Sequence, residues 1–450
     1  MIDFERLKAN YKSNPSNQLM ENLLSKISVV DSLKTKDLLN DEMFNIDLET
    51  NGGFSDQYAS GRCWIFSYLN YLREVVIYLT DMYVNPVFPE KNANFVLSAN
   101  YLAYYDKLEK MNWAMDRLIA YVGRKNKKRE IEDILSDGIF DGGDFNHMNQ
   151  LINKYGIVPA RSYNETITSI DTYEINCTLN RILGSFYLSL LNGKNPESSK
   201  EIHLQAAYNL LTCSYGKMPE VFDFRFFTNK DEFKIIKGLT PQKFYELLRL
   251  DVLNNYVEIT AYPKNPEKKI DFNKYYEMKD STWISGGRNN HSLNVRISRA
   301  KQLMLKQLNN GLPVCFDCYH IPNFYEGKWR DIYRLIDENY SRNLSLEKTK
   351  DGKMAKPIKL ELSRDEVIRS QSITEAHAML LCGASKITSK VDFWKVENSW
   401  GKDYGDDGYI AIDDDFMTKY FLTALIDKEL LSKKEQEIVR TKAIKINDWE

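Results

Sequence analysis

The stretch Asp56–Leu72 reads DQYASGRCWIFSYLNYL. A glutamine, a glycine and an arginine lead to one cysteine, and an apolar run starts directly after it. Trp64, Ile65, Tyr68, Leu69, Leu72, Val75, Val76 and Leu79 recur at helical spacing, so a helix is predicted to begin at Cys63. A helix N-terminus carries unpaired N–H groups and partial positive charge, and both favour a thiolate over a thiol. Most isolated cysteines are inert core residues. A core cysteine needs no loop-to-helix junction, whereas a nucleophile gains from one.

The flanking sequence is helical on the near side. A second helix is predicted from Ser98, where SANYLAYYDKLEKMNWAMDRLIAYV opens on a capping residue. DGGDFNHMNQLINKYGIVP reads as a Gly-rich loop and a helix that ends near Gly156, ahead of Pro159. Further helical segments fall near Ser198–Thr212 and Pro241–Leu250. The final third changes character: HSLNVRIS, LPVCFDCY, AMLLCGAS, VDFWKVEN and GYIAID read as strands bounded by turn residues. A helix-rich half followed by a strand-rich part predicts an α+β chain with two lobes around a cleft.

The strand-rich part holds possible partners for Cys63. There are five histidines. His377, in TEAHAMLLCGAS, stands at the entry to a strand, a rigid mount for a general base. In KVENSWGKDYGDDGY, Asn398 ends a strand, and its side-chain carbonyl can fix the tautomer of an imidazole. Trp400 beside it can shield that bond from water. Gln57, six residues before Cys63, can supply an amide N–H that joins the Cys63 N–H in an oxyanion hole. Singly each is ordinary; together and in this order they describe a cysteine hydrolase.

These patches, with SGRCWIF, LSANYLAYYDKLEKMNW, DGGDFNHMNQLINKYGIVP, LTPQKFYELL, ISGGRNNHSLNVRIS, GLPVCFDCYH, HAMLLCG and KVENSWG in register, resemble the bleomycin hydrolase and aminopeptidase C family of papain-like cysteine peptidases over nearly the whole chain. The resemblance implies a papain-like fold with large helical insertions. It divides the chain into a helical lobe at about 40–165, an insertion at about 166–285, a β-rich lobe at about 286–430 and a C-terminal arm at 431–450. It implies Cys63 as nucleophile, His377 as base and acid, Asn398 as orienter and Gln57 as oxyanion donor. Gly142, Gly143, Ala376, Trp400 and Glu450 become candidates for substrate contact. No cofactor is implied; the expected partners are peptide substrates and five further copies in a homohexamer. Two departures stand out: Ala376 replaces the family's usual Thr or Ser before the histidine, and the chain given ends at INDWE. The second leaves removal of N-terminal residues and internal cleavage both open.

Other features narrow the function. With 61 basic and 63 acidic residues the net charge is −2, which provides no general attraction to nucleic acid or anionic membrane. A non-catalytic assembly or nucleic-acid-binding role is the alternative from another class, and the complete catalytic set argues against it. No apolar run is long enough to span a membrane, and MIDFERLKANYKSNPSNQ has no secretory apolar core. Six sparse cysteines read as reduced thiols, so a cytoplasmic location is expected. The five besides Cys63 are expected in packed helices and strands. Cys315 and Cys318 form a C-x-x-C, but on a strand positions i and i+3 face opposite sides, so no metal site is expected. The basic run GRKNKKRE from Gly123 reads as a solvated helix end.

Overall fold

The structure is a computed structural model that describes residues 2–33, 43–48, 50, 55–79, 95–228, 230, 232–248, 255–320, 328–340, 353, 356, 358–373, 375–388, 390–447 and 449. The predicted helix forms over Cys63–Leu79 and is nearly all apolar. Trp64, Ile65, Tyr68, Leu69, Tyr71, Leu72, Val75 and Val76 are all buried. A helix buried on every side packs between two layers. Here one neighbour is the helix Ala99–Tyr121 and the other is the central part of a β-sheet.

The Ala99–Tyr121 helix is capped as expected, by the Ser98 side chain accepting from the Tyr101 N–H. Its buried positions include Asp106, Lys107, Glu109 and Lys110. Buried charges are costly unless paired, and each of these is paired. Lys107 meets Asp141 at 2.5 Å and Lys110 meets Asp106 at 2.7 Å. Glu109 accepts from the Ser285 N–H at 2.8 Å and also pairs with Lys154. This helix thus fastens the loop around Asp141 to the centre of the molecule. Helices Tyr173–Leu191 and Pro196–Tyr215 pack together and onto it.

The strands are β1 (Ile46–Asp47), β2 (Phe222–Phe227), β3 (Phe233–Leu239), β4 (Tyr256–Thr260), β5 (Lys274–Met278), β6 (His291–Asn294), β7 (Val314–Tyr319), β8 (Lys328–Trp329), β9 (Ala376–Ile387), β10 (Lys390–Glu397), β11 (Tyr409–Asp413), β12 (Phe421–Asp427) and β13 (Ile444–Ile446). Among the described residues β2 and β3 form a separate hairpin, and the other eleven form one sheet. Its order is β13-β5-β6-β4-β12-β7-β9-β10-β11-β8, with β1 also on β9. β4 and β5 lie within the stretch read as an insertion, yet they join this sheet. Alternate residues of β7 and β9 serve two cores. Cys315, Ala378 and Leu380 join the helical core. Phe316, Cys318, Met379 and Leu381 join a second core on the other face. Cys315 and Cys318 therefore point to opposite faces.

Trp449 packs at this second core, stacked on Tyr262 with centroids 4.8 Å apart and edge-on to Tyr276 at 5.1 Å. Glu450, a candidate substrate contact, lies outside the described residues. The basic run at Gly123 occupies an exposed turn and the start of the helix Lys128–Asp137.

Candidate active site

Two segments far apart in sequence run together at the site. Gln57 N–H donates to the Ser399 carbonyl at 2.8 Å, and Gly401 N–H donates to the Ser55 carbonyl at 3.1 Å. Gln57 is buried, and its amide is held at both ends. Oε1 accepts from the Ser399 hydroxyl at 2.6 Å, and Nε2 donates to the Ser60 carbonyl at 2.6 Å. Because a hydroxyl donates to one end and a carbonyl accepts from the other, the amide has one consistent orientation. Its second N–H is left for another acceptor. Arg62, buried beside the nucleophile position, is fixed by Glu165 at 3.0 Å and by Ser60 Oγ at 2.9 Å.

Cys63 is the first residue of its helix and half-buried, and the backbone N–H groups of Ala378 and Trp64 act on its thiol in the direction that favours the thiolate. Ala378 follows His377, so the thiol sits against the start of β9. His377 is buried, and Nε2 lies 2.8 Å from Asn398 Oδ1. The same Oδ1 accepts from the Ser399 N–H at 2.8 Å, which identifies it as the amide oxygen. Nε2 must then carry the proton, and Nδ1 is the ring nitrogen free to accept one. The Trp400 ring covers the imidazole at 4.8 Å, and Trp329 lies at 6.0 Å. Gln57, Cys63, His377, Asn398 and Trp400 are thus brought together.

The electrostatics differ from what the helix terminus alone predicts. Burial pushes the Cys63 thiol up to about 11, assisted by the charge of Asp317, and the N–H groups offset this only in part. Burial likewise pulls His377 down to about 4, against the upward effect of the Asn398 bond. A second correction concerns the other cysteines: Cys177 and Cys213 are exposed, while Cys315, Cys318 and Cys382 are buried.

Gly142 and Gly143 lie on a loop braced from below. The Trp64 indole N–H donates to the Asp141 carbonyl at 2.7 Å, and Lys110 donates to the carbonyls of Phe140 and Gly142 at 2.9 and 2.6 Å. Neither glycine has a positive φ. A Cβ at Gly143 would fall 2.6 Å from the Trp64 ring, so the need for glycine there is close approach rather than turn geometry. The Asp141 carboxylate gathers Gly61 N–H, Lys107, Thr172 and Asn176, which hold it well below the usual carboxylate range. It ties the loop before Cys63 to the helical layer. Ala376 is exposed at the start of β9, opposite Tyr319.

Sequence reasoning missed Ser399 and Asp141. Ser399 lies inside a quoted motif, and its neighbour Asn398 was the signal. Asp141 is 80 residues from Gly61, and no local pattern reports that contact. No group of three or more His, Cys, Asp or Glu side chains able to hold a metal occurs among the described residues. No described helix is long and apolar enough to cross a membrane.

Residues 2–450 match the model of the Peptidase C1-like family. Aminopeptidase C of Lactococcus lactis subsp. cremoris is 30% identical over 454 residues, covering 99% of this chain and 97% of that protein. Aminopeptidase C of Lactobacillus helveticus is 30% identical over 97% of this chain and 92% of its own length. Aminopeptidase G of Lactobacillus delbrueckii subsp. lactis is 24% identical over 100% of this chain and 98% of that protein. The crystal structure of PepW from Lactobacillus rhamnosis HN001 shares the fold, with TM-score 0.83 and 24% identity over 98% of this chain and 96% of that one. A match that runs through both the helical layer and the sheet, and through both segments of the site, assigns the chain to the Peptidase C1-like family.

Proposed function

We propose that this protein is a papain-like cysteine aminopeptidase in which Cys63, His377, Asn398 and Gln57 carry the reaction. The observation that carries the reading is the His377–Asn398 bond, which leaves Nδ1 as the acceptor, together with the start of the Cys63 helix packed against β9, the strand that carries His377. In this reading Nδ1 takes the thiol proton as sulfur attacks the peptide carbonyl. Transfer of that proton to His377 makes the attacking thiolate. The developing oxyanion meets the Cys63 N–H, unpaired at the helix start, and the second N–H of Gln57. His377 then protonates the leaving amine and activates the water that releases the acyl group. Trp400 keeps bulk water from the imidazole–amide bond.

Removal of N-terminal residues is supported by the aminopeptidase names of the relatives. The test is hydrolysis of a peptide with a free N-terminus beside its acetylated twin, by the intact chain and by Cys63→Ala. The free peptide should be strongly preferred and Cys63→Ala should be inactive. Equal internal cleavage of the acetylated peptide would make the enzyme an endopeptidase, and turnover by Cys63→Ala would end the cysteine-peptidase reading. The proposal extends to a cytoplasmic homohexamer. Exposed Phe4, Leu7 and Leu19 on the N-terminal helices, with Ile2 just before them, support the assembly, since apolar side chains of this size gain from being covered by another copy. Light scattering on the purified chain tests the assembly.

A further inference from the structure

The neighbourhood of Cys63 contains a carboxyl group that the mechanism above does not use. Asp317 is the one residue of β7 that is not fully buried. Its side chain shares the face of Cys315, two positions earlier, which lies in the helical core and contacts the Ser67 carbonyl on the Cys63–Leu79 helix. In the sheet register Asp317 stands directly opposite Ala378, the residue after His377, and Asp317 and Ala378 are both among the groups that act on the Cys63 thiol. Directly paired strand residues have Cα atoms about 4.5–5.5 Å apart and point to the same side. The carboxyl group thus lies one strand from the nucleophile's seat.

Its partners are few. Oδ2 accepts from Thr423 Oγ1 at 2.8 Å, across the pairing of β7 with β12. Among the described residues no lysine, arginine or histidine pairs with it. The ionisable groups that act on it are acids: Asp144, the N-cap of the Phe145–Tyr155 helix, and Glu258 on β4, and burial pushes the Asp317 carboxyl itself up to about 7. This placement opposes the chemistry, because a negative charge there disfavours the Cys63 thiolate. A cation delivered by the substrate would reverse that effect when the site is filled. In a peptide, the nitrogen of the residue whose carbonyl is attacked lies two bonds from that carbonyl carbon, about 2.5 Å. Any charge on that nitrogen, or on the side chain of the preceding residue, comes close to Cys63 when its sulfur attacks the carbonyl.

We infer that Asp317 is the group that receives a cationic nitrogen presented by the substrate on the N-terminal side of the scissile bond. The nitrogen is either the α-ammonium of the residue being released or the basic side chain of the residue before it. The inference rests on Cys63 being the attacking group, and it adds to that reading a selection rule set by this chain's own β7. Thr423 orients the carboxylate and leaves Oδ1 for the incoming N–H.

The test uses the full chain and four fluorogenic aminomethylcoumarin amides: leucyl, acetyl-leucyl, acetyl-arginyl-leucyl and acetyl-leucyl-leucyl. Wild type should favour leucyl over acetyl-leucyl, or arginyl-leucyl over leucyl-leucyl, and whichever ratio is large identifies the source of the cation. Asp317→Asn, an isosteric change, should lower that ratio in kcat/KM by roughly 10- to 100-fold, the worth of a hydrogen bond to a charged group. Asp317→Glu, which keeps the charge, should retain part of it. The rate of Cys63 alkylation by neutral iodoacetamide should not fall in Asp317→Asn, since a nearby negative charge has been removed. An unchanged ratio in a folded Asp317→Asn overturns the proposal. So does a wild type that shows neither preference, a measurement that needs no variant. Failure of the underlying reading shows separately, as turnover by Cys63→Ala.

Discussion

Replacing Ser399 by alanine removes a single hydroxyl remote from the reacting atoms, and its effect should travel through Gln57. Ser399 Oγ donates to Gln57 Oε1 at 2.6 Å, and the opposite end of the amide donates to the Ser60 carbonyl. Without the hydroxyl, Oε1 is a buried acceptor with no donor, which costs about 1–3 kcal/mol of stability. The amide recovers part of that by rotating, and rotation turns its free N–H away from the oxyanion. Losing the orienting bond, worth about 1 kcal/mol, should lower kcat roughly 5- to 10-fold at 1.36 kcal/mol per decade. KM should change little, because the oxyanion exists only beyond the ground state. Gln57→Ala removes the donor itself and should lose roughly 10²–10³ in kcat. Since Ser399 acts through Gln57, the double variant should be no slower than Gln57→Ala alone. The assay is steady-state hydrolysis by wild type, both single variants and the double variant, with melting curves for stability. The pH profile of Ser399→Ala should match wild type, because the Ser399 N–H to Asn398 bond is backbone and survives. Additive losses in the double variant would refute the coupling, and a shifted pH profile would place the damage at His377.

Four further outcomes follow from the same geometry. Gly143→Ala places a methyl 2.6 Å from the Trp64 ring, next to Cys63, and should destabilise the fold by about 1–3 kcal/mol and lower activity, as denaturant melts and rates will show; a neutral substitution would mean that the loop yields freely. His377, held down near 4, must be unprotonated to accept the thiol proton, so kcat/KM should fall as pH drops through about 4. Asn398 raises that value, so Asn398→Ala should move the acid limb to lower pH with a reduced plateau, and an upward movement would contradict the sign. In the same variants, brief iodoacetamide labelling should modify exposed Cys177 and Cys213 regardless of genotype, while modification of Cys63 should slow in His377→Ala.

The nucleophile helix, its capped neighbour and five of the strands were legible from the sequence alone. Apolar spacing and capping residues act over a few positions, and these elements are stable for local reasons that a pattern reports. Gln57, Cys63, His377 and Asn398 were legible as a set because the chemistry restricts residue type and order. Eight strands escaped that reading: β1, β2, β3, β4, β5, β8, β12 and β13. The partners of β1, β8, β12 and β13 are far away in sequence, and β4 carries Glu258 and Thr260 toward a polar stripe rather than an apolar face. The orientation of the Gln57 amide, the tautomer of His377 and the placement of Asp317 opposite Ala378 were decided only by the tertiary structure. Each depends on which groups meet across the sheet and on how much water they exclude. Hydrogen-bond partners 342 residues apart, as for Ser399 and Gln57, leave no periodic trace in a chain. Desolvation depends on everything that packs around a group, so the helix terminus at Cys63 could indicate where a thiol would be useful but not the protonation state in which it would rest.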